Sequence, residues 1–339
     1  MDFTQNLTTI IQGKDLSADT MAAMISAIFS GTITNAQIGA FMAALAAKGE
    51  TVEELFGAAR AMRRKAARIQ TMEKKCVDTC GTGGDASGSF NISTTTAFVV
   101  AGCGVTVAKH GNRSISSQCG SADLLEALGV VIDLDPEIVE EAVNEIGLGF
   151  LFAPRFHGAM KHAATARREV GIRSIFNMLG PLTNPAAAKC QLIGVFDPKL
   201  TEMYAQVLKL LGTHRAFVVH GHDGMDEITV CAPTRVSELA NGLIRSYDLD
   251  PLKFFDDYAD PRELRGGNAN ENAGITRAIL KGERGARRNI VLINSAAALV
   301  AADAAADLAQ GITMAETAID SGKAMEKLEH LINFTQENG

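Results

Sequence analysis

The feature that most constrains this chain is a change of texture after Lys75, where short β-rich runs begin to alternate with stretches of helical periodicity. The β-like runs are residues 76–79, 105–109, 130–133, 216–220 and 227–231, with helices filling several of the gaps. Strands separated by helices pair in parallel, because each crossover returns the chain to the same end of the sheet. The last stretch, residues 286–334, is rich in alanine and reads as helix again.

Upstream the pattern is helical throughout. Ser17 can cap a helix whose apolar face is Met21, Met24, Ile25, Ile28 and Phe29, with Gly31 to end it. Thr34 with Gln37 forms a capping box ahead of Ile38, Phe41, Met42 and Leu45, closed by Gly49. Thr51 with Glu54 repeats the device before Leu55, Ala58 and Met62. The expected fold is therefore α/β: a small all-helical domain over residues 1–72, and a larger α/β domain over 73–339 with a mostly parallel central sheet.

Composition narrows the function. Hydrophobic residues make up 47% and charged residues 21%, a globular balance, and the net charge is -7. A chain built to neutralise phosphate backbones carries the opposite sign, so nucleic acid is not an expected partner. The basic run from Arg60 to Arg68 then reads as a solvated helix face. The longest apolar tract, residues 296–306, is interrupted by Asp303 and is too short to span a bilayer. The opening residues have neither the basic region nor the apolar stretch of a signal peptide. Six cysteines form no Cys-x-x-Cys pair and have no histidine at zinc-ligand spacing. Reduced thiols in a cytoplasmic enzyme, with no membrane contact, are the expectation.

Two loops suit phosphate. Asp78-Thr-Cys-Gly-Thr-Gly-Gly-Asp85 follows the first β-like run, and its glycines let backbone N–H groups approach an anion. It has neither the Gly-Lys-Ser/Thr of a Walker loop nor the spacing of a dinucleotide fingerprint. Asn91-Ile-Ser-Thr94 then puts Ser93 or Thr94 at a helix N-terminus, where free N–H groups favour phosphate. The next β-like run ends in Lys109-His-Gly-Asn-Arg-Ser-Ile-Ser-Ser117, with Lys109 and Arg113 as cations and Asn112 and the serines as hydrogen-bonding groups. Ligands in open α/β sheets gather at the carboxyl ends of strands, so both loops should face one crevice.

Two further groups have more than one reading. Asp226-Glu227 follows a Gly-x-Asp-Gly turn and suits Mg²⁺, which takes one or two carboxylates beside substrate phosphates; from the residues alone, two solvated acids in a hairpin are the default reading. The stretch from Phe150 to Arg173 holds His157, His162, Arg167, Arg168 and Arg173. A buried arginine fork matches an aromatic carboxylate, whereas solvation or pairing with Glu169 accounts for a surface one.

Together these motifs resemble anthranilate phosphoribosyltransferase. Phe90-Asn-Ile-Ser-Thr94, Gly120-Ser-Ala-Asp-Leu-Leu-Glu-Ala-Leu-Gly129, Gly171-Ile-Arg-Ser-Ile-Phe-Asn-Met-Leu-Gly-Pro-Leu-Thr-Asn-Pro185 and Asp223-Gly-Met-Asp-Glu227 add to the two loops, in matching order and spacing. The resemblance implies the fold type shared by nucleoside phosphorylases and such transferases, with helices from about 165–188 joining the small domain and the site in the cleft between domains. It implies transfer of a phosphoribosyl group from phosphoribosyl pyrophosphate to anthranilate in tryptophan biosynthesis, by a homodimer. A pyrimidine nucleoside phosphorylase has a similar architecture, but it uses phosphate and needs no acidic pair.

Residue by residue, the resemblance implies sugar-phosphate contacts from Gly81, Gly84, Asp85, Ser89, Asn91, Ser93, Thr94, Lys109, His110, Gly111, Asn112, Arg113, Ser114, Ser117 and Ser121. Mg²⁺ falls to Ser93, Asp226 and Glu227, and the anthranilate carboxylate to Arg167, near Asn112 and Gly81. Lys109 and Arg167 are the catalytic candidates. For His157, a ligand contact and a supporting role behind another residue both stay open. Ser89 stands where the family commonly has Thr, and Gly158 where it has Pro; neither change removes a needed group.

Overall fold

The computed structural model describes residues 2–73, 75–114 and 118–339. Four helices open the chain: α1 (Phe3–Ile11), α2 (Ala18–Phe29), α3 (Asn35–Lys48) and α4 (Val52–Lys65). Ser17 caps α2, and both capping boxes form, Thr34 with Gln37 and Thr51 with Glu54. Each such cap stabilises its helix by about 1 kcal/mol. Glu54 does more than cap. Its buried carboxylate also accepts from Leu16 N at 3.0 Å and pairs with Lys48 at 3.0 Å, which ties the α1–α2 connection to α4.

The remaining chain builds a seven-stranded sheet of order β3-β2-β1-β4-β5-β6-β7. Its strands are β1 (Val77–Gly81), β2 (Val107–Gly111), β3 (Leu148–Phe152), β4 (Cys190–Gly194), β5 (Arg215–Gly221), β6 (Thr234–Ala240) and β7 (Leu243–Leu249). From β3 to β5 every neighbouring pair is parallel, and β6 and β7 add an antiparallel end. Helix α5 (Ile92–Gly102) links β1 to β2, while α6 (Ser121–Leu128) and α7 (Pro136–Glu145) link β2 to β3. Between β3 and β4 lie α8 (Ala153–Phe156), α9 (Lys161–Val170) and α10 (Ile175–Met178), and α11 (Leu200–Leu210) leads to β5. The chain ends with α12 (Ala269–Leu280), α13 (Ala286–Ala301), α14 (Leu308–Asp320) and α15 (Lys323–Asn338).

Both faces of the sheet are covered, as a parallel sheet requires. On β5, Phe217 and Val219 join the apolar cluster that contains α5, α13 and α15, whereas Ala216 and Val218 join the cluster that contains α11 and the N-terminal helices. The helical part therefore shares its core with one face of the sheet, and Ala163 and Ala166 of α9 belong to that core. No helix among the described residues is long and apolar enough to cross a membrane.

Two expected strands are absent. Residues 130–133 form an irregular tie, where Val131 N donates to Thr335 Oγ1 at 3.1 Å and the place beside β2 goes to β3. Residues 227–231 are also irregular, because side chains take over the role of a ladder. Asn294 of α13 accepts from Ile228 N at 3.0 Å and donates to Ile228 O at 2.9 Å, and Thr234 Oγ1 accepts from Thr229 N at 3.1 Å. In the other direction, β6 and β7 meet at Asn241-Gly242, whose φ of 52° and 73° suit a two-residue hairpin turn. From β1 the chain moves outward to β2 on one side, and β4 lies on the other. That reversal opens a crevice at the carboxyl ends of β1 and β4.

Candidate active site

The crevice is shaped by two glycines. Gly81 and Gly194 are register partners at the ends of β1 and β4. A Cβ on Gly81 would lie 2.4 Å from Asp226 Oδ2, and one on Gly194 would lie 1.5 Å from the Asp226 carbonyl oxygen. The pair thus forms a notch that seats Asp226. Beyond Gly81 the loop turns on Gly83, at φ 65°, and Gly84, at φ 79°. Its Gly83 N–H donates to Asp226 Oδ2 at 3.0 Å.

The other expected groups close in from two sides. Asn91 precedes α5, so Ser93 lies in the first helical turn, and its N–H donates to Glu227 Oε1 at 3.1 Å. Lys109, buried on β2, donates to Thr79 O and approaches Ser93 Oγ at 3.4 Å. Asp85 Oδ2 lies 3.5 Å from Asp226 N. One ammonium and three carboxylates therefore meet at a single strand-end crevice. Burial first, then Asp85, pushes the Asp226 carboxyl upward; burial and then Asp226 do the same to Glu227. Burial pulls Lys109 down, against the opposing field of Asp78. Ionised, the three carboxylates would outnumber the one ammonium, so without a cation burial and mutual repulsion favour the protonated forms of Asp226 and Glu227.

The chain matches the helical bundle domain of a glycosyl transferase family over residues 4–66 and that family's a/b domain over residues 73–325. Anthranilate phosphoribosyltransferase of Desulfosudis oleivorans is 66% identical over 338 residues, 99% of this chain and 100% of that one. Its counterpart from Syntrophobacter fumaroxidans is 66% identical over 329 residues, 97% and 98% of the two chains. This chain belongs to the anthranilate phosphoribosyltransferase family. The crystal structure of the Thermus thermophilus member has a TM-score of 0.93 at 40% identity, with 99% of this chain and 100% of that one covered. The Saccharomyces cerevisiae member, solved in complex with phosphoribosyl pyrophosphate and Mg, gives 0.90 at 26% identity, over 99% and 98%.

Within this anthranilate phosphoribosyltransferase fold the remaining expected residues divide into groups. Gly111, Asn112 and Ser121 close on one another: Ser121 Oγ accepts from Asn112 N at 3.2 Å and donates to Asn112 O at 3.1 Å. Ser114 N donates to Asp123 Oδ2 at 3.2 Å. Arg113 is turned toward α6, where its guanidinium holds Glu126 at 2.8 Å and Asp123 at 3.0 Å. Asn91 bridges Cys119 O at 3.0 Å and Asn272 at 2.9 Å, and Ser89 lies in an isolated bridge with Arg265. Thr94 is buried, and its hydroxyl has no hydrogen-bond partner among the described residues. Ser117 lies outside the described residues.

Arg167 is half-buried on α9 with its guanidinium 5.7 Å from the Phe176 ring centroid. It makes no hydrogen bond or ion pair among the described residues, so its fork is open to a ligand. Arg168 is exposed. His157 does not stand alone: its Nε2 lies 3.2 Å from Nε2 of His110.

Three residues outside the expected set hold the site together. Asp78, fully buried on β1, accepts from His110 N at 3.1 Å and from Asn184 Nδ2 at 2.7 Å. Asn184 also donates to Ala108 O at 2.7 Å, so this pair clamps β1, β2 and the 180–186 segment behind Lys109. Arg173 donates to Gly84 O at 2.9 Å and stacks 3.8 Å from the Phe196 ring centroid, reaching the glycine loop from the segment after α9. Asp78 and Asn184 lie inside recognisable motifs, but a supporting role behind the site leaves no signature of its own in one sequence.

Proposed function

We infer that this chain transfers the 5-phosphoribosyl group of phosphoribosyl pyrophosphate to anthranilate, giving N-(5′-phosphoribosyl)anthranilate and pyrophosphate in tryptophan biosynthesis. The observation that carries this reading is the meeting of Lys109, Ser93, Asp226 and Glu227 at the Gly81–Gly194 notch, in a chain 66% identical to relatives of that name.

The crevice suits Mg²⁺ carried in with the diphosphate. Asp226 and Glu227 at the crevice fit a cation that takes one or two carboxylates and fills its other positions with substrate oxygens and water. Ser93, Asp226 and Glu227 would hold it, and the property that fits is a pair of buried carboxyls whose ionised forms a cation would stabilise. When bound, the ion offsets negative charge that develops on the departing pyrophosphate.

The protein's own groups do the rest. As the C1′–oxygen bond breaks, its electron pair leaves with pyrophosphate; the Lys109 ammonium and the loop N–H groups stabilise that charge. Anthranilate's nitrogen supplies the lone pair that forms the new bond to C1′ and then gives up a proton to the departing pyrophosphate or to solvent. It is a neutral nucleophile already, so alignment beside C1′ is the main task and no covalent enzyme intermediate is needed. Arg167 would take the carboxylate in its fork. His157 would act behind His110 as a positioning residue. Sugar-phosphate contacts come from the glycine loop and the 109–121 segment, Arg113 leaving its partners on α6 if it takes part.

We also take the helical domain as residues 1–72 with the helices near 165–188, the α/β domain as 73–339, and the working form as a cytoplasmic homodimer. The decisive experiment adds phosphoribosyl pyrophosphate and Mg²⁺ to the chain with anthranilate and follows anthranilate fluorescence. Loss of the signal that needs both additions is expected. An unchanged signal, with phosphorolysis of a pyrimidine nucleoside instead, would overturn the reading.

A further inference from the structure

A second cleft lies over the antiparallel end of the sheet. Strand register sets His220 of β5 opposite Arg235 of β6, and Arg235 opposite Asp248 of β7, so three polar side chains cross the sheet in one row. They continue the face on which Val218 and Leu239 pack with Tyr204 and Leu208 of α11. With Pro198 and His222 they line a cleft of about 530 Å³, room enough for a small metabolite.

His220 is only 8% exposed. Its Nδ1 lies 2.7 Å from the Val195 carbonyl oxygen, which can only accept, so Nδ1 carries a proton and in the neutral ring Nε2 is the acceptor. That nitrogen has no partner among the described residues. Arg235 Nη1 and His222 Nε2 each lie 3.4 Å from Asp248 Oδ1, longer than a charge-assisted hydrogen bond of about 2.7–2.9 Å. Pairs this exposed and this loose exchange readily for a ligand. A metal is disfavoured, because no three ligating side chains converge among the described residues. A simple anion is opposed by Asp248, and a simple cation by Arg235.

We propose that this cleft binds a small amphoteric molecule of the α-amino-acid type, its carboxylate on Arg235 and its ammonium on Asp248, with His220 lining the same cleft. The cleft sits at the base of the loop that carries Asp226 and Glu227. There Gly221 N donates to Met225 O at 2.8 Å and His222 N to Pro233 O at 2.9 Å, so a ligand here touches the frame of the catalytic loop. The site does not depend on which transfer reaction the other crevice performs.

The test is an NMR titration of the full-length chain with glycine, acetate and methylammonium. It follows the ring signals of His220 and His222, assigned with the His220→Gln and His222→Gln variants. Glycine should move both signals saturably, with Kd on the order of 1 mM, and acetate and methylammonium should bind at least about tenfold more weakly. Arg235→Gln and Asp248→Asn should each weaken glycine by about tenfold. If Arg235→Gln does not fold, Asp248→Asn alone decides. Signals that stay still, acetate binding as tightly as glycine, or folded variants that bind like the parent would each overturn the proposal.

Discussion

Nε2 of His157 lies 3.2 Å from Nε2 of His110, and Nδ1 of His110 faces the Gly180 carbonyl oxygen at 3.1 Å. The carbonyl only accepts, so His110 carries its proton on Nδ1 and takes a hydrogen bond from His157 on Nε2. The bond between the rings breaks when both are protonated and two N–H groups face each other; it is intact with both rings neutral. Burial enforces that state, holding His110 down at about 3 and His157 at about 4. Unfolded, both would titrate near 6.5.

The sign of the pH effect follows. Between about pH 6.5 and 4 the unfolded chain binds protons that the folded chain refuses, so stability is complete above 6.5 and falls as pH drops, by about 1.4 kcal/mol per unit for each ring. Urea unfolding at pH 7.5, 6.0 and 5.0 should show this slope in the parent and a shallower one in His157→Gln. Equal slopes in both proteins would show that the pair does not carry the effect.

At the Gly81–Gly194 notch, the two alanine substitutions should differ in kind. A methyl on Gly81 meets the end of the Asp226 side chain at 2.4 Å, and a carboxylate can swing away. Gly81→Ala should keep its thermal midpoint within a few degrees while kcat/KM falls about 100-fold, a transition-state loss near 2.7 kcal/mol. On Gly194 the methyl meets the Asp226 backbone at 1.5 Å, which only movement of the loop can relieve. Gly194→Ala should lose stability as well as activity. Circular dichroism melts beside steady-state rates separate the two; matching losses in both variants would refute this account of the notch.

How much of this was legible depends on whether a feature is local. Ser17, Thr34 with Gln37 and Thr51 with Glu54 bond within three residues, so their caps are readable from spacing alone. The phosphate-suited loops are local too, and parallel topology brings their strand ends together. Residues 227–231 misled because their β-branched pattern is real, yet Asn294, 66 residues from Ile228, takes the backbone bonds a strand would have used. β4 was hidden by its composition: Cys190, Gln191 and Gly194 are not strand formers, and burial on both faces is what makes them one. Arg113 shows the same limit at the site, since Glu126, one helical turn beyond Asp123, competes for its guanidinium.

Arg167 has an open fork beside Phe176, a geometry that rewards shape as well as charge. Arg167→Ala should raise KM for anthranilate by about 10–100-fold, the cost of one charge-assisted pair of about 1.5–3 kcal/mol, with little change in KM for phosphoribosyl pyrophosphate. Arg167→Lys should recover only part of the loss, because an ammonium cannot form the two parallel bonds. Steady-state kinetics in both substrates give the answer. Equal effects on the two KM values would remove Arg167 from the carboxylate site.

Glu227 offers a prediction that runs opposite to ordinary intuition about charges in a binding site. Burial and Asp226 raise its folded-state affinity for protons, so above about pH 4.3, where the unfolded chain ionises it freely, the folded chain is penalised for holding the carboxylate. The penalty persists until a cation offsets it. Glu227→Gln keeps an oxygen to accept from Ser93 N and deletes the charge. In EDTA at pH 8 this variant should melt about 1–2 °C above the parent, the shift that roughly 1 kcal/mol gives a chain of this size, while its turnover collapses. Mg²⁺ with pyrophosphate should then stabilise the parent more than the variant, because only the parent has the charge to neutralise. A variant that melts below the parent without Mg²⁺ would mean that Glu227 serves packing, and that relief of its buried carboxylate is not what draws the metal.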